Sequence, residues 1–179
     1  MTLELTVATV FAALLLAVEK GTYWWVWHHP GRFTVWCKRR GQRDPVAAFE
    51  GLFRRFKGVQ LAVYAGWIGW FSYRTEWLPN TEVWLLALAA LLIGVGQALN
   101  LAVFARLGRD GTFYGVRFGR EVPWVTGFPF SVVPHPQYTG TVLSIWGLFL
   151  LARFPYPDWI VLPLVATAYY AFNAWFERE

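Results

Sequence analysis

Long apolar runs, broken by basic or aromatic segments, set the reading of this chain. Residues 5–18 (LTVATVFAALLLAV) are apolar, and the following GTYWWVWHH extends the same helix toward His28 with rings suited to a membrane interface. A second run covers 58–73. The clearest covers 83–105 (VWLLALAALLIGVGQALNLAVFA), whose length as helix is about 34 Å, enough for a hydrocarbon core of about 30 Å. Two shorter runs, 137–152 and 159–176, close the chain, and Pro163 either kinks the last or marks its first turn. The pattern predicts an all-α integral-membrane bundle of about five transmembrane helices, or four if 5–18 lies in the interface, with a C-terminal helical hairpin.

Composition supports a lipid solvent. Of 179 residues, 56% are hydrophobic and 15% charged, and there are 12 Trp, 15 Phe and 8 Tyr. A soluble domain of this size has too much surface to hide so many rings. One cysteine, Cys37, excludes an intramolecular disulfide, and no metal site is expected. The first apolar run follows Met-Thr-Leu-Glu rather than a basic segment, so no cleavable leader is expected.

Net charge of +5 would suggest nucleic acid for a soluble protein; here it marks basic loops at the cytoplasmic face. Nine basic residues lie between Lys20 and Lys57, four between Arg106 and Arg120, and Arg178 is in the tail. With an external N-terminus all of these are inside, leaving only Arg74 and Arg153 outside. The whole chain, 1–179, reads as a single domain. Residues 46–57 (VAAFEGLFRRFK) place Val46, Phe49, Phe53 and Phe56 at helical spacing among basic residues. That segment is either an amphipathic helix on an anionic leaflet or a connector packed on the bundle.

Between the third and fourth spans, residues 106–136 are too long for a minimal connector and too aromatic for a solvated loop. Irregular backbone at membrane depth is buried in protein or lines a wet cavity. The last two spans are joined by only RFPYPD, 153–158, and must run antiparallel. A hairpin with equal legs returns to its starting level, so His135 and Tyr138 at one mouth lie near Glu177 at the other. Gly94-Val95-Gly96 within the third span serves either helix packing or a ligand. In a straight helix Gly94 lies about 15–18 Å from Arg106, which separates it in depth from the interface. His28 and His29 are interfacial anchors or line a headgroup pocket.

The stretch HPQYTG, 135–140, resembles the His-Pro-x-Tyr-x-Gly turn of integral-membrane methyltransferases. That group includes phospholipid N-methyltransferases and isoprenylcysteine carboxyl methyltransferases. GTFYGVRFG (111–119), VTGFPFSVVPHPQYTG (125–140) and YWWVWHHPGRF (23–33) are more similar to the phosphatidylethanolamine N-methyltransferase branch. The resemblance implies S-adenosylmethionine as methyl donor, bound by residues 82–179 through a Gly-x-Gly and a Glu-Glu motif. The first matches Gly94-Val95-Gly96. The second matches in part, because Arg178 stands where a second Glu is expected and Glu179 follows.

On this resemblance Gly94, Val95, Gly96, His135, Tyr138, Gly140, Glu177 and Arg178 hold the donor. His135, Tyr138 and Glu177 are the catalytic candidates, and Tyr114, Arg117 and Trp124 the substrate contacts. The implied partners are a phospholipid and the membrane, bacterial inner or endoplasmic reticulum, with the site near the cytoplasmic face and no nucleic acid. The implied reaction methylates the headgroup nitrogen of phosphatidylethanolamine or its mono- and dimethyl derivatives. A lipid amine resembles that of lysine, with a pKa of about 10, so a base or desolvation must free its lone pair. Alternatives are methylation of a prenylcysteine carboxylate or a small thiol, and a non-catalytic membrane scaffold.

Overall fold

The computed structural model describes residues 2–73, 76–78 and 82–177. Six α-helices follow in order: α1 (Leu3–His28), α2 (Pro30–Arg39), α3 (Pro45–Ser72), α4 (Val83–Thr112), α5 (Pro136–Arg153) and α6 (Val161–Phe176). Short 3₁₀ turns cover Gly115–Phe118 and Pro157–Ile160, and there is no strand among the described residues. Sequence punctuation sets the starts. The Thr2 hydroxyl accepts from Leu5 N at 3.3 Å, and the Asp44 carboxylate accepts from Val46 N at 3.0 Å. Pro30, Pro45 and Pro136 open α2, α3 and α5, where a missing N–H costs nothing.

Among the described residues two helical stretches, Val83–Phe118 and Pro157–Phe176, are long and apolar enough to cross a membrane, against the five spans expected from sequence. Two of the other helices bury polar groups within the bundle, Glu19 and Lys20 in α1 and Gln60 in α3. Residues 46–57 are not a separate surface helix. They form the first turns of a continuous α3, with Val46 and Phe49 buried against Tyr23, Val26, Phe33 and Phe113. The packed connector is the alternative that the structure adopts.

The pair α4 and α5 makes the tightest crossing. A Cβ on Gly140 would lie 2.5 Å from Gly96 O, and one on Gly147 would lie 2.8 Å from Ala89 O. Absence of side chains lets the two backbones touch. Near its end α4 turns at Gly108, whose φ of 61° and ψ of −164° suit glycine alone. The last two helices do form an antiparallel hairpin. At its closed end Arg153, one of the two basic residues that the charge count left on the external side, is 2% exposed. Its guanidinium donates to Asp158 through Nε at 2.8 Å and Nη2 at 2.7 Å, and through Nη1 to Ser72 of α3 at 3.1 Å. Trp67 Nε1 donates to the same carboxylate at 3.2 Å.

Candidate active site

At the open end of the hairpin three segments converge. Tyr138 lies in the first turn of α5, Glu177 caps the end of α6, and Tyr114 follows α4. The Tyr114 and Tyr138 hydroxyls both donate to Glu177 Oε1. Tyr114 has φ of 59° and ψ of 25°, a left-handed conformation that a bulky residue adopts only when its surroundings enforce it. Here the enforcement is visible. The Tyr114 ring stacks on Phe49 at 4.7 Å and meets Trp27 edge-on at 5.1 Å.

These groups line a cavity of about 240 Å³. Its walls include Tyr23 and Trp27 from α1, Phe49 and Phe53 from α3, Gly111 near the end of α4, and the turn from Pro134 to Tyr138. Burial opposes the charge of Glu177 and pushes its carboxyl above the ordinary carboxylate range, although both tyrosine hydroxyls, Lys20 and Arg117 act the other way. Trp27 Nε1 and the Tyr23 hydroxyl are buried among the lining residues with no hydrogen-bond partner. An aromatic-walled hollow with one half-buried carboxylate and unused donors suits a ligand that is cationic at one point and hydrogen-bonding at another. Such a ligand matches the sulfonium, ammonium and ribose of the donor implied by the sequence.

The residues expected at the site divide into groups. His135, Tyr138 and Glu177 line one cavity, and the His135 and Tyr138 rings stack at 5.9 Å. Tyr114 lines it too, and Arg117 lies over the Trp27 ring at 3.8 Å. Gly96 and Gly140 instead pack against each other. Gly94 has open space around it, Val95 is 43% exposed, and neither lines this cavity. Trp124 is 91% exposed and does not line it. Arg178 and Glu179 lie outside the described residues. His28 Nδ1 donates to Trp24 O at 2.8 Å, and its ring packs on Phe176.

Sequence reasoning missed the wall supplied by Tyr23, Trp27, Phe49 and Phe53. The aromatic density of 23–27 was visible, but its inward direction depends on how α1 and α3 pack. It also missed Lys57, which opens on a second hollow of about 380 Å³ between α3, α4 and α5. The two hollows share Phe53, Thr112 and Gln137 as lining.

Residues 84–179 match a protein family described as phospholipid methyltransferase. A phosphatidyl-N-methylethanolamine N-methyltransferase of Arabidopsis thaliana is 36% identical over 148 residues, 82% of each chain. One of the same description from Saccharomyces cerevisiae is 44% identical over 64 residues, 35% of this chain and 31% of that one. The phosphatidylethanolamine N-methyltransferase of Rattus norvegicus is 36% identical over 97 residues, 54% of this chain and 47% of that one. No solved structure matches the chain. The matched segment contains Tyr114, Tyr138 and Glu177, the three residues joined by hydrogen bonds at the cavity. The chain belongs to the phospholipid methyltransferase family.

Proposed function

We propose that this enzyme transfers a methyl group from S-adenosylmethionine to the headgroup nitrogen of phosphatidylethanolamine or its mono- and dimethyl derivatives, leading toward phosphatidylcholine. The reading rests on the family and on relatives described as acting on these lipids. The structural observation that carries it is a half-buried carboxylate, Glu177, that accepts from two tyrosine hydroxyls in an aromatic cavity.

The donor, when bound, supplies a methyl group activated on a cationic sulfur. Glu177 is placed to hold its ammonium or ribose hydroxyls, and Trp27 Nε1 and the Tyr23 hydroxyl offer further donors. Arg117, over the Trp27 ring, is a cation beside the cavity for its carboxylate. The faces of Tyr23, Phe49, Tyr114 and Tyr138 favour positive charge and exclude water.

The acceptor amine must lose a proton before it attacks. Two groups at the cavity can take it. Glu177 has a raised proton affinity, and His135 lines the same hollow. Low dielectric also disfavours the ammonium itself. The rest of the demand is alignment, since in-line displacement gains most from fixed geometry.

Five membrane-crossing passes, with basic loops and the cavity on the cytoplasmic side, remain part of this proposal, supported by the charge distribution. Incubating the protein with labelled donor and defined ethanolamine, monomethyl and dimethyl lipids tests it. Label is expected in at least one lipid; none in all three, with a prenylcysteine or thiol labelled instead, overturns it.

A further inference from the structure

Beside the active-site cavity lies a buried polar cluster that the reaction so far leaves unused. Lys20 and Lys57 both pair with Glu19 Oε1, at 2.9 and 3.2 Å. One carboxylate is thus shared by two ammonium groups, and its other oxygen has no hydrogen-bond partner. Lys57 Nζ also donates to Gln60 Oε1 at 2.8 Å and Tyr170 Oη at 2.6 Å, and Lys20 lies over the Tyr170 ring at 3.8 Å. Neutral oxygens and a ring face satisfy hydrogen bonds but do not cancel charge. Locally the cluster keeps one positive charge in a medium where unpaired charge is costly.

Of the two cations only Lys57 faces open space, whereas Lys20 lies close enough to Glu177 to act on its charge. The Lys20 side chain is 3% exposed and closed off, while that of Lys57 is 26% exposed and faces the second hollow. This hollow is a groove between α3 and α4, floored by α5. Most of its lining is apolar, and its polar side chains include Lys57, Gln60, Asn100 and Ser144, with Gln97 at the exposed edge. Asn100 Oδ1 is buried without a partner. Its outer rim is apolar, and Leu61 and Phe104 there are 64% and 51% exposed. The groove meets the active-site cavity at Phe53, Thr112 and Gln137.

We propose that this groove holds the acceptor phospholipid, with Lys57 binding its phosphate and the acyl chains leaving past Leu61 and Phe104. The proposal rests on the substrate reading above. Charge divides the two hollows. The aromatic cavity with Glu177 takes the cationic groups, and the groove with Lys57 takes the anion. In an ethanolamine phospholipid two carbons separate phosphate from nitrogen, so a phosphate at Lys57 carries the amine toward the shared wall. Lys57 Nζ spends its three N–H groups on Glu19, Gln60 and Tyr170. Binding phosphate exchanges the longest of these contacts, to Glu19 at 3.2 Å, which Lys20 keeps paired, and Lys57 then locates the nitrogen.

The test uses the full-length, detergent-solubilised protein. Two acceptors are compared: a short-chain phosphatidyl-N-methylethanolamine, and a lipid of the same chains and amine with carbonate in place of phosphate. The wild-type protein is expected to show a KM for the phosphate lipid lower by about 10- to 100-fold, as for loss of a charge-assisted contact. In Lys57→Met that advantage is expected to vanish while the donor KM stays within about 2-fold, and Lys57→Arg is expected to restore most of it. Equal wild-type KM values for the two lipids overturn the proposal, and that comparison needs no variant to fold. A Lys57→Met protein whose donor KM rises instead overturns it in favour of a cofactor contact. A wild-type protein that methylates neither lipid overturns the substrate reading, and the proposal with it.

Discussion

Gly96 and Gly140 stand back to back where α4 crosses α5, each closing on the carbonyl oxygen of the other. A methyl group on Gly96 would also come within 3.0 Å of Ser144 N. Backbone cannot step aside as a flexible side chain can, so Gly96→Ala is expected to destabilise the protein by about 1–3 kcal/mol despite the better helix propensity of alanine. Gly94 has nothing within 4 Å, and Gly94→Ala is expected to be neutral or to stabilise by up to about 1 kcal/mol. Thermal unfolding in detergent separates the two. Donor affinity measured on Gly94→Ala shows whether that glycine also touches the cofactor.

Glu177 gives a pH prediction. Its carboxyl is raised by burial, so the folded state holds a proton that the unfolded chain has already lost. Stability therefore falls as pH rises from the ordinary carboxylate range through the raised value. In Glu177→Gln this fall is expected to be absent, and the ligand-free variant is expected to be at least as stable as wild type at neutral pH. The same variant is expected to lose the stabilisation that donor gives wild type, about 2.7 kcal/mol at 100 times its Kd. A variant that gains as much as wild type from saturating donor counts against Glu177 as the cofactor ligand.

Tyr114→Phe and Tyr138→Phe each remove one hydroxyl from Glu177 without changing ring packing. A hydrogen bond to a charged group is worth about 1.5–3 kcal/mol, so each change is expected to lower kcat/KM by about 10- to 100-fold. Because both act on one oxygen, the double variant is expected to depart from additivity by about 0.5–3 kcal/mol. Strict additivity would mean that the two hydroxyls work independently.

At the other end of the bundle, Asp158→Ala leaves the Arg153 guanidinium without that carboxylate in a buried site. The expected cost is about 3–5 kcal/mol. Replacing both residues with apolar ones of similar volume is expected to recover much of it. KM values measured below the unfolding temperature are expected to stay near wild type, since neither residue lines the two hollows.

The hairpin and its convergence were legible because a six-residue connection leaves no other geometry. The nearness of His135 and Tyr138 to Glu177 followed from leg length, whereas their choice as site residues came from the resemblance of HPQYTG. What sequence hid is burial direction. VAAFEGLFRRFK has the same apolar stripe whether it faces lipid or protein, and only packing against Tyr23 and Phe33 decides between them. The charge count placed Arg153 on the external side but did not pair it, because its carboxylate, Asp158, lies across the hairpin turn. The second hollow was invisible for a similar reason, since Lys57, Gln97 and Ser144 come from three helices.

The segment that matches the family, 84–179, supplies the carboxylate and both hydroxyls, yet Tyr23, Trp27, Phe49, Phe53 and Lys57 all stand before it. Chemistry and fit are thus carried by different stretches of one polypeptide. Exchanging the N-terminal stretch between such enzymes should alter which headgroups are accepted before it alters whether a methyl group moves at all.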